Sequence, residues 1–146
     1  MGMTYRTHAL LAEELAAVLK QSCGLSVHLR SFVEGSVKPD TTSLFLRHPH
    51  FWKYSRKWVF GRMEKLSKKK LVDGKKNKKF WTHLGIITHY LGDFFTAVHN
   101  RTPNRLMEHL AWEQKLEAQF ILMQKDGSLS RHFEHLLANT KPVKRL

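Results

Sequence analysis

His89-Tyr90-Leu91-Gly92-Asp93 sets an imidazole and a carboxylate four residues apart. On a helix, residues four apart share a face, so both side chains can reach one ion. His109-Leu110-Ala111-Trp112-Glu113 repeats the device, and His99 falls between the two, six residues after Asp93. Facing helices that each present such a pair are a common way to build a metal cluster inside a bundle. Imidazole with carboxylate suits zinc, and also manganese or iron. The spacing alone is weak evidence, because a lone His on an apolar helix is usually a core residue with a partner. What adds weight is the surrounding helix, which carries Trp81, Leu84, Ile86, Ile87, Leu91, Phe94 and Phe95. A carboxylate buried among such residues needs a cation or several donors. No Lys or Arg follows Lys79 in that helix.

Cys23 is the only cysteine, which excludes an intramolecular disulfide and the Cys₄ and Cys₂His₂ zinc sites. Near a helix end it reads as a small buried hydrophobe. The formal charge of +13, from 25 Lys and Arg against 12 Asp and Glu, favours anionic partners: phospholipid headgroups, nucleic acid or other phosphorylated substrates. Hydrophobic residues at 42% and charged ones at 25% describe a chain that folds. Apolar runs such as Ala9 to Leu11 and Phe120 to Met123 are too short to span a bilayer, so any membrane contact is peripheral. No apolar leader segment is evident, and the expected location is cytoplasmic, with a secreted mature form as the alternative.

These residues need helices to position them, and helical periodicity dominates the chain. Thr7 is expected to cap a first helix with Leu10, Leu11, Leu15, Val18 and Leu19 as its buried stripe, closed by Gly24. A short helical stretch from His28 to Glu34 leads into Gly35-Ser36-Val37-Lys38-Pro39-Asp40, which reads as a turn. A loop from Thr41 to His50 precedes a helix from Trp52 to Leu66. The lysine-rich stretch Lys68–Lys79 around Gly74 reads as a solvated loop. The central helix spans Phe80 to Val98. Thr102 and Pro103 open the next, which runs to Gln124, and Ser128 or Ser130 starts a last one with Phe133, Leu136 and Leu137. With no linker or repeat, residues 1–146 form one all-α domain, a bundle of five to six helices with a metal cluster between them.

In order, residue type and local spacing, His89-Tyr90-Leu91-Gly92-Asp93, His99, His109 and Glu113 resemble the site signature of zinc-dependent phospholipase C. That family shows His-Tyr-x-Gly-Asp, a His six residues later, and then His-x-x-x-Glu. The likeness extends to His8 in the first helix, and to Gly35-x-x-x-Pro39-Asp40 with a His about ten residues on. His50 suits that interval better than His48. The chain departs from the family in having Thr96-Ala97-Val98 where a Pro usually precedes the third His. It also begins Met1-Gly2-Met3, without the Trp that completes the His8 site in extracellular members.

The resemblance implies two or three zinc ions and the following ligands. Asp40, His50, His89 and Asp93 would hold one ion, with Asp93 bridging to a second. His99, His109 and Glu113 would hold another, and His8 the remaining one. It implies hydrolysis of a phospholipid-type phosphodiester by metal-activated water, with Asp40, or else Glu113, orienting or deprotonating that water. A single-strand nuclease of the same superfamily is the alternative, for which Phe51, Trp52, Tyr54 and Trp58 are candidate stacking residues, although a helix packing face explains them more simply. A non-catalytic metal-binding protein at anionic surfaces is a further one. Phosphohydrolases with adjacent His-Asp are disfavoured because that dipeptide is absent. His28, His83, His132 and His135 are expected to have no catalytic part.

Overall fold

The structure is a computed structural model that describes residues 4–69, 77–96 and 106–139, except for the side chains of 106–109 and 137. The described residues form seven helices and no strand. These are α1 (Tyr5–Cys23), α2 (Leu29–Thr41), α3 (Leu44–Arg47), α4 (Trp52–Ser67), α5 (Lys78–Phe94), α6 (Leu106–Lys125) and α7 (Ser128–Asn139). The protein is all-α, as the periodicity predicts.

α5 is the axis of the core. Asn77 caps it by accepting from the Phe80 amide, and its first two turns bury Phe80 and Trp81. Trp81, Ile86, Ile87, Tyr90 and Phe94 of α5 meet Ala12 and Ala16 of α1, Phe32 of α2, and Val59 and Leu66 of α4. Each fully buried large side chain among them contributes about 1.5–3 kcal/mol. α2 lies most closely on α5, and two glycines explain why. A Cβ added to Gly35 would drive into the Thr82 backbone, and one added to Gly85 into the Phe32 carbonyl and the Ser36 amide. The two helices therefore touch backbone to backbone, and Ser36 Oγ donates to the Gly85 carbonyl at 3.3 Å. This contact sets the rotation of α2 about the face of α5 that carries His89.

The outer helices are tied by polar contacts to α1. Thr4 Oγ1 donates to Glu117 Oε2 of α6 at 2.6 Å, and Ser130 Oγ of α7 donates to Glu14 Oε2 at 2.6 Å.

Several boundaries differ from expectation. α1 is capped by Thr4, whose hydroxyl accepts from the Thr7 amide; Thr7 itself is fully buried inside the first turn. Its buried stripe is Thr7, His8, Ala12, Ala16 and Val18, because small residues admit the neighbouring helices while Leu10, Leu11, Leu15 and Leu19 flank the contact at intermediate depth. Gly24 closes α1 in the left-handed conformation at φ 63°. Cys23 beside it is exposed rather than buried.

The expected turn at Gly35–Asp40 is helix: α2 runs through it with Pro39 inside. Its terminal Val37 and Lys38 carbonyls are taken up by the Thr41 and Thr42 hydroxyls at 3.0 and 2.8 Å. The Thr41–His50 loop contains the short α3. α5 ends at Phe94, four residues earlier than Val98, as the Thr96 hydroxyl and amide close on the Asp93 carbonyl at 2.7 and 3.0 Å. Phe95, assigned to the apolar helix, is 89% exposed. Among the described residues the seven helices exceed the five or six expected. Residues 70–76, with most of the lysine loop, and Thr102 and Pro103 lie outside the described residues.

Candidate metal centre

Four elements converge on one face of α5. α5 contributes His89 and Asp93, α1 contributes His8 from its first turns, and the last turn of α2 contributes Asp40. His50 comes from the segment between α3 and α4. That segment is held by the Tyr90 hydroxyl, which donates to the His48 carbonyl at 2.6 Å, and by Ser55 Oγ, which donates to the Pro49 carbonyl.

Asp93 is completely buried, and its two oxygens face different partners. Oδ2 lies 2.8 Å from His50 Nδ1 and 3.3 Å from His89 Nε2. Oδ1 lies 3.3 Å from His8 Nε2. Asp40 Oδ1 stands 3.7 Å from His50 Nδ1 and 3.8 Å from His89 Nε2. Two sets of three residues thus bring ligand atoms within 4.8 Å of one another: His8, His89 and Asp93, and Asp40, His50 and His89.

The orientation of the His89 ring is legible from its neighbour. Nδ1 donates to the Ser36 carbonyl at 2.7 Å, so a neutral ring presents a lone pair at Nε2. Nε2 faces Asp93 Oδ2 at 3.3 Å, so a proton or a cation must lie between them. The His8 ring stacks on His89 with centroids 3.7 Å apart.

Burial by itself would push the Asp93 carboxyl up. The imidazoles of His50, His8 and His89 outweigh that and hold it well below the usual carboxylate range. It is therefore an anion in the interior, surrounded by nitrogen ligands and with no Lys or Arg in an ion pair to it among the described residues.

These residues fit a bound metal. Both ring nitrogens of His8 and Oδ2 of Asp40 are buried without a hydrogen-bond partner, which is costly for polar atoms that no ion engages. A tetrahedron with bonds of about 2.0–2.1 Å has edges of roughly 3.3–3.4 Å. Within the Asp40, His50, His89 and Asp93 set, His89–Asp93 at 3.3 Å and His50–His89 at 3.4 Å match those edges, while His50–Asp93 at 2.8 Å is shorter and the Asp40 contacts at 3.7 and 3.8 Å are longer. The Ser36 carbonyl fixes His89 from behind, as acceptors on the far nitrogen do for metal-bound imidazoles.

Of the eight residues singled out from the sequence, His8, Asp40, His50, His89 and Asp93 come together here. Glu113 is buried on α6. His99 and the side chain of His109 lie outside the described residues. His48 is not in the cluster, and its ring stacks on Trp58 at 3.8 Å instead. His28 caps α2 by accepting from the Ser31 amide, and His83 pairs with Arg62. Ser36 and Gly85 escaped the sequence reading; the one available signal was two glycines, Gly35 and Gly85, inside helices that gain nothing from them locally.

An all-helical chain with a buried cluster of imidazoles and carboxylates between its helices is a helical bundle with a candidate metal site. The zinc dependent phospholipase C family model matches residues 7–144, and the chain belongs to that family. No curated protein and no solved structure matched the chain. No helix among the described residues is long and apolar enough to cross a membrane.

Proposed function

We propose that this chain is a zinc-dependent phosphodiester hydrolase acting on a phospholipid headgroup linkage. The observation that supports it most is Asp93, a fully buried carboxylate turning one oxygen to His50 and His89 and the other to His8. We assign Asp40, His50, His89 and Asp93 to one ion, with the second Asp93 oxygen and His8 serving a neighbouring one. His99, His109 and Glu113 are assigned to a further ion. When bound, zinc supplies Lewis acidity toward a phosphoryl oxygen and acidifies a water.

The residues of the chain do the rest. The Ser36 carbonyl holds His89 in the tautomer that directs Nε2 into the cluster. The Tyr90 hydroxyl anchors the segment that carries His50. Asp40 is the more accessible carboxylate of the set: its side chain is 17% exposed against none for Asp93. Asp40 would orient the attacking water and take its proton on the carboxylate as the oxygen bonds to phosphorus. The proton then passes to the departing alkoxide as the ester P–O bond breaks.

Nuclease activity is a second reading, supported by Trp52 and Tyr54, which are exposed beside cations: Arg56 over Trp52 at 5.9 Å and Lys53 over Tyr54 at 5.8 Å.

The test is elemental analysis of the purified protein alongside hydrolysis of phosphatidylcholine, bis-p-nitrophenyl phosphate and single-stranded DNA. The expected result is zinc at more than one ion per chain, with hydrolysis of the lipid lost in His89→Ala and Asp93→Ala. Cleavage of DNA and not lipid would favour the second reading. A folded protein that takes up no zinc would overturn both.

A further inference from the structure

Away from the cluster, α4 and α5 enclose a groove of about 500 Å³ lined by Lys57, Trp58, Arg62, Lys65, Lys69 and His83, with Gly61 and Leu66 completing the wall. We propose that this groove is a second binding site, which takes a phosphate group in monoester form. The proposal does not depend on the hydrolase reading.

The lining carries four Lys or Arg residues and no carboxylate. The nearby acid on α4, Glu64, is already engaged with Lys68 at 2.7 Å. Arg62 is the centre of the argument. Its guanidinium lies over the Trp58 ring at 4.4 Å, and its Nη1 is 2.7 Å from His83 Nδ1. Its Nε is buried with no hydrogen-bond partner, and no carboxylate pairs with it among the described residues. A half-buried guanidinium stacked on an indole and bonded to an imidazole is held in one orientation with one donor unanswered. Guanidinium edges match the oxygens of phosphate two at a time, which an incoming anion would use.

The surrounding charges favour a dianion over a singly charged group. Burial, and then Arg62, Lys69, Lys79 and Lys38, depress the pKa of His83, as expected of an imidazole facing uncompensated cations. The groove exceeds the volume of a bare phosphate, and Trp58 and Leu66 give its wall an apolar side for an organic substituent. Trp58 also touches Tyr90, 5.4 Å between centroids, so the groove shares a wall with the residue that anchors the His50 segment.

Gly61 offers a clean way to block the site. A Cβ there meets nothing within 4 Å, so Gly61→Glu projects a carboxylate into the groove without displacing backbone. The experiment titrates inorganic phosphate into the zinc-loaded full chain by calorimetry at constant ionic strength. A parallel arm uses vesicles of phosphatidylcholine with and without phosphatidic acid. Proteins compared are wild type, Gly61→Glu, Arg62→Gln and, as a charge control outside the groove, Lys20→Glu.

The expected result is saturable phosphate binding weakened about tenfold or more in Gly61→Glu and Arg62→Gln, at unchanged helicity and zinc content, with Lys20→Glu near wild type. Phosphatidic-acid-dependent vesicle binding lost in the same two variants would assign the phosphate to a lipid headgroup; binding in the soluble arm alone would assign it to a soluble phosphomonoester. Absence of saturable binding in both arms overturns the proposal. So does binding that survives both groove variants and disappears on zinc chelation, which would put the anion at the metal centre.

Discussion

The Nδ1–H of His89 donates to the Ser36 carbonyl at 2.7 Å, joining α5 to α2 through a buried bond. That bond leaves Nε2 pointing at Asp93 Oδ2, 3.3 Å away. The arrangement makes folding stability depend on what lies between the two.

Chelation should therefore destabilise the protein. A ligand at a thousandfold excess over its Kd contributes about 4 kcal/mol to the folded state. At roughly 2–4 °C per kcal/mol for a chain of this size, melting should fall by about 10 °C in chelator and recover with zinc. Asp93→Asn should abolish the zinc-dependent increment. A melting temperature indifferent to chelator would refute a structural role for the ion.

Gly35 and Gly85 should tolerate no side chain. Alanine is the better helix former by about 1 kcal/mol, yet at either position its methyl would enter backbone atoms of the opposite helix. The clash should win, with Gly35→Ala or Gly85→Ala losing roughly 1–3 kcal/mol in urea unfolding. Gly61→Ala, in open space on α4, should show the opposite sign and gain up to about 1 kcal/mol. Equal effects at all three positions would contradict the close crossing of α2 and α5.

Tyr90→Phe removes the donor to the His48 carbonyl while keeping the ring against His50 and Trp58. Stability should drop by about 1 kcal/mol. Because the bond anchors the segment carrying His50, zinc affinity should fall about tenfold, as when other groups that hold a ligand in place are lost. A competition titration with a chromogenic chelator measures this; unchanged affinity would mean that His50 is positioned without the hydroxyl.

His83 should make stability sensitive to mild acid. Its folded-state pKa is depressed, by burial first and then by Arg62, Lys69, Lys79 and Lys38. A depressed value means that the contribution is present above the unfolded pKa of about 6.5 and is lost as pH falls below it. His48 is shifted the same way, by burial and then by Arg62 and Arg47. Urea midpoints should therefore decline on acidification through that region, and His83→Gln should flatten the decline. A slope unaltered by that substitution would place the sensitivity elsewhere.

The sequence by itself determined the helical class and the pairing of His89 with Asp93, because helix periodicity is local and four residues always make one turn. It also determined that Asp93 needs positive partners, since its helix offers no cation after Lys79. Gly24 as the stop of α1 and His28 as the start of α2 were read from the sequence, and Asn77 as the cap of α5 follows from an equally local rule.

The tertiary structure alone decided which residues meet across the chain. His8 stacks on a ring eighty-one residues away, and the Ser36 carbonyl chooses the His89 tautomer from another helix. His50 enters the cluster while His48, two residues earlier, turns to Trp58. Spacing in the loop could not separate them, because it does not encode which way a chain turns once Tyr90 and Ser55 hold its carbonyls. The Gly35–Gly85 contact has the same origin. Local propensity argues against glycine at both positions, and only the backbone of the other helix supplies the reason for it.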